Sequence, residues 1–75
     1  MNISFGEKLR LLRESVELTQ GALGKKLGMT QRKISYIENG KYEPSLDDIK
    51  AFCTLFNVSA DYLLDLPKNL GYPNR

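Results

Sequence analysis

Apolar residues recur every three or four positions in four stretches of this chain, with turn-forming residues between them. Phe5, Leu9, Leu12 and Val16 form the first stripe, and Leu23 and Leu27 the second. Ile34 and Ile37 form the third, and Leu46, Ile49, Phe52, Leu55 and Phe56 the fourth. That spacing predicts helices with one apolar face. Hydroxyl residues stand at the expected starts: Ser4, Thr19, Thr30 and Ser45, with Ser59 opening a fifth helix in which Tyr62 and Leu63 are packing candidates. Ser4 with Glu7 has the capping-box spacing, and Ser45 with Asp48 is a weaker version of it. Gly28 is expected to end the second helix, because glycine takes the left-handed backbone without a steric penalty. Asn39-Gly40 is expected to end the third, and Pro44 holds Glu43 extended. No stretch alternates as a strand would, and there is no internal repeat. From Pro67 to Arg75 the chain is rich in Pro, Gly and Asn, as a tail or linker is. The expected fold is all-α: a compact five-helix domain over residues 1–66, followed by a tail over 67–75.

Composition narrows the chemistry. A chain of 75 residues holds one domain. With 41% hydrophobic and 27% charged residues it has the balance of a folded protein. It contains no His, so the commonest general base and metal ligand is absent. Its single cysteine, Cys53, allows neither an intrachain disulfide nor a cysteine zinc cluster. Cys53 lies among Phe52, Leu55 and Phe56 and reads as a small core hydrophobe, not a nucleophile. Asp48 reads as a helix cap, and Asp47, Asp61 and Asp65 as solvated charges, with no calcium-loop spacing among them. No apolar run approaches the ~20 residues that span a bilayer, and the start of the chain has no signal-peptide core. These features lead to the expectation of a cytoplasmic protein that is not an enzyme, with no cofactor, no metal, no membrane partner and no small-molecule substrate.

Charge is unevenly divided. The segment from Lys8 to Lys41 carries eight positive and three negative residues, whereas Glu43 to Asp65 carries one positive and five negative. A basic first half suits a polyanionic partner. Within it, two short helices at about 20–39 are joined through Gly28. Leu23, Leu27, Met29, Ile34 and Ile37 are placed to fill the wedge between them, and Gly24 falls where they come closest. This is a helix-turn-helix pattern, whose second helix enters the major groove of DNA. Gln31, Arg32 and Tyr36 project from that second helix, and Lys25, Lys26, Lys33 and Lys41 add positive charge nearby.

Further motifs extend the pattern over roughly Phe5 to Leu64. They are Leu18-Thr-Gln, Leu23-Gly-Lys-Lys-Leu-Gly-Met-Thr30, Ile34-Ser-Tyr-Ile-Glu-Asn-Gly-Lys41, Pro44-Ser-Leu46 and Phe56-Asn-Val-Ser-Ala-Asp-Tyr-Leu-Leu64. In order and spacing this set resembles the phage lambda repressor/Cro (XRE) family of DNA-binding domains. The resemblance implies a lambda repressor-like five-helix domain that regulates transcription, usually as a homodimer on a partly palindromic operator in double-stranded DNA. It implies base reading by Gln31 and Arg32: a Gln bonds adenine through two hydrogen bonds, and an Arg bonds guanine O6 and N7. Tyr36 occupies a third such position, where its ring meets a thymine methyl, its hydroxyl meets a phosphate, or it packs on the neighbouring turn. Thr19, Gln20, Thr30, Lys33, Asn39 and Lys41 fall at positions expected to contact the DNA backbone, and Ser35 reads as either such a contact or plain surface. Tyr42 and Glu43 stand where many relatives carry basic or small polar residues, and Glu43 would repel phosphate.

Arg13 and Glu38 match a structural ion pair of the family, and Arg13 has a phosphate contact as its alternative role. Phe56, Tyr62, Leu64 and Leu66, with the tail through Tyr72, are the candidates for a dimer surface, or else they close the monomer's own core. Two other readings stay open: an antitoxin-like protein-interaction module, and the DNA-binding end of a longer, ligand-sensing repressor.

Overall fold

Five helices make up the computed structural model, which describes residues 3–67 together with 70, 71 and 73. They are α1 (Phe5–Ser15), α2 (Gln20–Leu27), α3 (Gln31–Glu38), α4 (Leu46–Phe56) and α5 (Ala60–Leu64). No strand occurs among the described residues. Each helix opens on a Ser or Thr hydroxyl that accepts a first-turn amide. Ser4 takes Glu7 N–H at 3.2 Å, Thr19 takes Ala22 at 3.0 Å, and Thr30 takes Lys33 at 3.0 Å. Ser45 takes Asp48 and Ser59 takes Tyr62, both at 3.1 Å. Each such cap is worth about 1 kcal/mol, which matters for helices of one to three turns.

The two expected capping boxes exchange rank. Ser45 and Asp48 form the reciprocal pair, because Ser45 N–H donates back to Asp48 Oδ2 at 3.0 Å. Glu7 instead accepts the Ser4 hydroxyl at 3.3 Å and leaves the N-cap amide alone. The helix ends were only partly legible in sequence. Gly28 takes the left-handed backbone at φ 70°, as expected. Asn57 and Asp65 do the same at the ends of α4 and α5, and Glu17 does so in the turn after α1. Those positions need no glycine, because Asn and Asp tolerate this region better than other side chains; nothing local in the structure explains Glu17.

Leu9, Leu23, Ile34, Ile37, Phe52 and Leu63 form the fully buried core, with at least one residue from every helix. Phe5, Leu12, Leu18, Leu27, Met29, Cys53, Phe56 and Val58 pack around it. Burial pushes the Cys53 thiol above its ordinary range, outweighing the opposing backbone hydrogen bond, which keeps it an uncharged packing group. Three members of the predicted stripes are exposed, Leu55 among them at 37%. Val16 is 53% exposed because it is the C-cap of α1, past the last helical turn. Leu46 is 77% exposed because it is the first residue of α4, before the helix turns its apolar face inward. Tyr62 is also half exposed and lies against the Lys8 ammonium, 5.0 Å from its ring centre.

Backbones approach closely at two glycines. A Cβ on Gly6 would run into the carbonyls of Ile37 and Glu38, so α1 rests directly on the end of α3. A Cβ on Gly24 would strike the Met29 carbonyl, so α2 closes tightly on the turn into α3. Two buried cations lock the packing. Lys8 donates to the Tyr62 carbonyl at 2.8 Å and lies 3.4 Å from Asp65 Oδ1, tying α1 to the end of α5. A cation there also complements the helix dipole. Arg13 binds Glu38 through two hydrogen bonds, Nε to Oε2 at 2.7 Å and Nη2 to Oε1 at 3.1 Å. Its Nη1 donates to the Leu18 carbonyl at 2.8 Å, so one guanidinium joins α1, α3 and the turn before α2. The hydrogen bonds to Glu38 raise the Arg13 pKa further, against a smaller opposing effect of burial.

These contacts have measurable consequences. Gly6→Ala and Gly24→Ala should each destabilise the fold by ~1–3 kcal/mol through overpacking. Gly21→Ala, whose Cβ meets nothing nearer than the Thr19 hydroxyl at 4.0 Å, should raise stability by ~0.5–1 kcal/mol. Thermal melts of the three variants separate the cases. Arg13→Ala strands the Glu38 carboxylate and should remove ~3–5 kcal/mol, enough to unfold much of a domain this size at 37 °C by circular dichroism. Burial raises the Asp48 pKa, but hydrogen bonds from Ser45 and Lys33 outweigh it, so the net shift is downward. A carboxyl with a lowered folded pKa stabilises the fold above its unfolded pKa of about 3.9 and loses that effect as pH falls through the folded value. Denaturant titrations should therefore show Asp48→Asn less stable than the parent at neutral pH, with the gap closing below about pH 4.

Candidate nucleic-acid interface

The α2–α3 pair begins with two threonine caps and a glycine turn. Thr19 starts α2, Gly28 reverses the chain, and Met29 N–H donates to the Gly24 carbonyl at 2.8 Å before Thr30 starts α3. A helix advances about 100° per residue, so Ile34, Ile37 and Glu38 share the inner side of α3. Arg32, Ser35 and Tyr36 occupy the opposite side, and Gln31, seven residues before Glu38, lies above it at the edge of the inner side. Gln31 and Arg32 are exposed, Tyr36 is 42% exposed, and Ser35 is half-buried. The exposed surface of α3 therefore carries Gln31 and Arg32 at its N-terminal end and Tyr36 one turn further on.

A line of polar contacts reaches that surface from the interior. The Glu38 side chain is only 2% exposed. Its Oε1 accepts from Arg13 and also from Gln20 Nε2, at 3.1 Å. Gln20 Oε1 then accepts from Gln31 Nε2 at 3.3 Å. The direction of this relay follows from donor chemistry. A carboxylate only accepts, so Gln20 must turn its NH2 group toward Glu38 and its oxygen toward α3. Gln31 must in turn point its own NH2 at Gln20. The second Gln31 N–H and its carbonyl oxygen bond no described residue, so they form a donor and an acceptor side by side at the surface.

The other predicted contact residues separate into groups. Thr19 and Thr30 are exposed at the starts of α2 and α3, where first-turn amides lack intrahelical partners. Gln20 is half-buried behind Gln31. Asn39 is exposed just past α3, and its Nδ2 donates to the Ser35 carbonyl at 2.9 Å. Lys41 is exposed, and its backbone N–H bonds the Tyr36 carbonyl at 2.8 Å. Lys25 and Lys26 are exposed on the last turn of α2. Lys33 stands apart: its ammonium reaches the other way, to Asp48 Oδ1 at 3.0 Å. Lys8, counted in the basic half of the sequence, is withdrawn from the surface altogether by its buried contacts with α5. Only the packing of α5 on α1 reveals that, since nothing near Lys8 in sequence marks it.

Comparison with known proteins follows the same segment. The family described as "Helix-turn-helix domain" matches residues 4–66. Repressor protein C2 of Salmonella phage P22 is 36% identical over 73 residues, which are 93% of this chain and 34% of that protein. The chain thus spans about a third of the length of that repressor. An uncharacterised HTH-type transcriptional regulator of Methanocaldococcus jannaschii, MJ0272, is 51% identical over 54 residues, covering 72% of this chain and 82% of that one. Among solved structures, the P22 c2 repressor in complex with synthetic operator 9T superposes with a TM-score of 0.78 at 33% identity, covering 84% of this chain and 96% of that one. The chain belongs to the helix-turn-helix domain family, as a member of the lambda repressor/Cro-like (XRE) kind.

Proposed function

We propose that this chain is a sequence-specific regulator of transcription, a repressor that binds a partly palindromic operator in double-stranded DNA as a homodimer. The observation that carries this reading is the oriented amide of Gln31. Adenine presents an acceptor, N7, beside a donor, the N6 amino group, in the major groove. The outward N–H and carbonyl of Gln31 are the complement of that pair, and the Glu38–Gln20 relay holds them in that sense. Arg32, on the same exposed face, offers its guanidinium to guanine O6 and N7. Tyr36 lies one turn further along, where its ring meets a thymine methyl or its hydroxyl a phosphate.

Register comes from backbone contacts. The Thr19 and Thr30 hydroxyls, the unpaired first-turn amides of α2, and the second amide N–H of Gln20 suit phosphate oxygens. Asn39 and Lys41 suit the phosphates beyond the other end of α3. Such contacts supply affinity, while base contacts supply specificity. One α3 spans only a few base pairs, so a second copy is needed for a useful site. The exposed side chains of Tyr62, Leu64 and Leu66, together with the half-buried Phe56, are the proposed dimer surface. Tyr72, also named from the sequence, lies outside the described residues. Pro67 onward acts as a tail or linker. The work is binding and not catalysis, in the cytoplasm, and occupying a promoter blocks polymerase.

Selection from random ~30-base-pair duplexes at physiological salt tests the proposal. The expected result is a palindrome whose half-sites lie one DNA turn apart, about 34 Å. Gln31→Ala should then lose preference at one adenine, by ~1–3 kcal/mol of discrimination. Lys41→Ala should weaken all sequences alike and lower the salt slope by about 1. Binding only at low salt, with no sequence enriched, would sink the specific-regulator reading and favour a module whose main partner is a protein.

A further inference from the structure

The charge of Lys33 points toward the interior of the fold. It lies in the first turn of α3, next to the proposed base-reading residues, yet its ammonium is 3.0 Å from Asp48 Oδ1 on α4. The same ammonium lies 5.4 Å from the centre of the Tyr42 ring. Asp48 is nearly buried, and its second oxygen is occupied by the Ser45 N–H at 3.0 Å. One carboxylate therefore caps α4 and holds α3 at once. Tyr42 belongs to the segment between the two helices, and Lys41 and Tyr42 both donate their backbone N–H to the Tyr36 carbonyl, at 2.8 and 3.2 Å. The 39–45 segment is thus fixed at three points: by Tyr36 on α3, by Lys33 against Tyr42, and by Ser45 and Asp48 at the start of α4.

We infer that Lys33 is a positioning residue, which through Asp48 and Tyr42 holds the α3–α4 segment so that Asn39 and Lys41 meet the DNA backbone. It does not itself bind phosphate. The inference rests on the DNA-binding reading for its consequence, although the clamp is a property of the free protein. The physical reason is desolvation. If Lys33 swung out to a phosphate, it would leave a nearly buried carboxylate without its counter-charge. Breaking a partly buried pair in that way is more unfavourable than an exposed ionic contact is favourable. The net lowering of the Asp48 pKa agrees with a carboxylate that is charged and satisfied in the fold.

The test compares Lys33→Met, Lys33→Arg, Asp48→Asn and the Lys33→Met/Asp48→Asn double variant with Lys41→Met. Binding to the selected operator is measured across salt at a temperature where circular dichroism shows each variant folded. Each phosphate neutralised contributes about 0.9 to the slope of log K against log salt. Lys41→Met should lose about one such step. Lys33→Met should keep the parent slope while binding about three- to tenfold more weakly at every salt concentration, and Lys33→Arg should restore binding. Asp48→Asn should weaken binding as Lys33→Met does, with little further loss in the double variant. A Lys33→Met slope reduced by about one step would overturn the inference, as would tighter binding by Asp48→Asn. A readout without DNA keeps the two proposals apart. Amide exchange at Lys41 and Tyr42 should rise about tenfold in Lys33→Met, with the core amide of Leu23 unchanged. Unchanged exchange at Lys41 and Tyr42 would refute the clamp, whatever the protein binds. Raised exchange in a protein that binds no DNA would leave the clamp standing and refute the DNA-binding reading.

Discussion

Glu38 is a charged group in a place where water cannot reach it, and the arrangement of the first three helices follows from satisfying it. Its two oxygens accept from the Arg13 guanidinium, and one of them accepts from Gln20 as well. Arg13 reaches it only if α1 crosses the end of α3 at close range, and Gly6 permits that approach by having no Cβ. Gln20 reaches it only if α2 begins beside the same end of α3. A buried carboxylate without these partners is strongly destabilising. Helix packing that brings them together is therefore strongly selected over alternatives with the same apolar contacts. An apolar pair of similar volume would hold the helices equally well. What it would not do is set the direction of the Gln20 amide, and through it that of Gln31.

The same economy appears at the other end of α3. Asp48 serves as capping acid, as partner of Lys33 and as anchor of the α3–α4 segment. Interior polar groups thus link the apolar core to the exposed face of α3 at two places, one behind Gln31 and one beside Tyr42. Between them lies the surface proposed to meet DNA. A base-reading side chain needs a fixed orientation, because a glutamine amide turned by 180° exchanges donor for acceptor. In the proposed reading, rigid support from beneath gives a short helix of eight residues that fixed orientation.

Charge follows a related division. The basic first half of the chain places Lys25, Lys26, Arg32 and Lys41 at the surface. Lys8, Arg13 and Lys33 belong to the same run in sequence, yet each is paired with an acid that packing brings to it. Sequence charge overstates the positive field at the interface, because three of the cations have partners drawn from α3, α4 and the end of α5.

Local patterns were enough to find the helices and their starts. Every N-cap was visible as a Ser or Thr ahead of an apolar stripe, since capping is a contact between a side chain and an amide three residues on. Gly24 and Gly28 were visible because both lie within a few residues of the turn they serve, one inside α2 and the other at its end. The exposed residues of α3 were visible because helical periodicity separates them from Ile34 and Ile37. Asn57, Asp65 and Glu17 as left-handed residues were not visible, since these side chains occur in many backbone states. Lys8 was not visible either, because Tyr62 and Asp65 lie more than fifty residues away in the chain. The choice of Lys33 between phosphate and Asp48 likewise depends on where α4 starts in space. Sequence alone determined which segments are helical and which faces are apolar, because those depend on neighbours within one or two turns. Only the tertiary structure decided which charges are buried, which amide faces outward and which helix rests on which glycine, because each of those depends on groups brought together by packing.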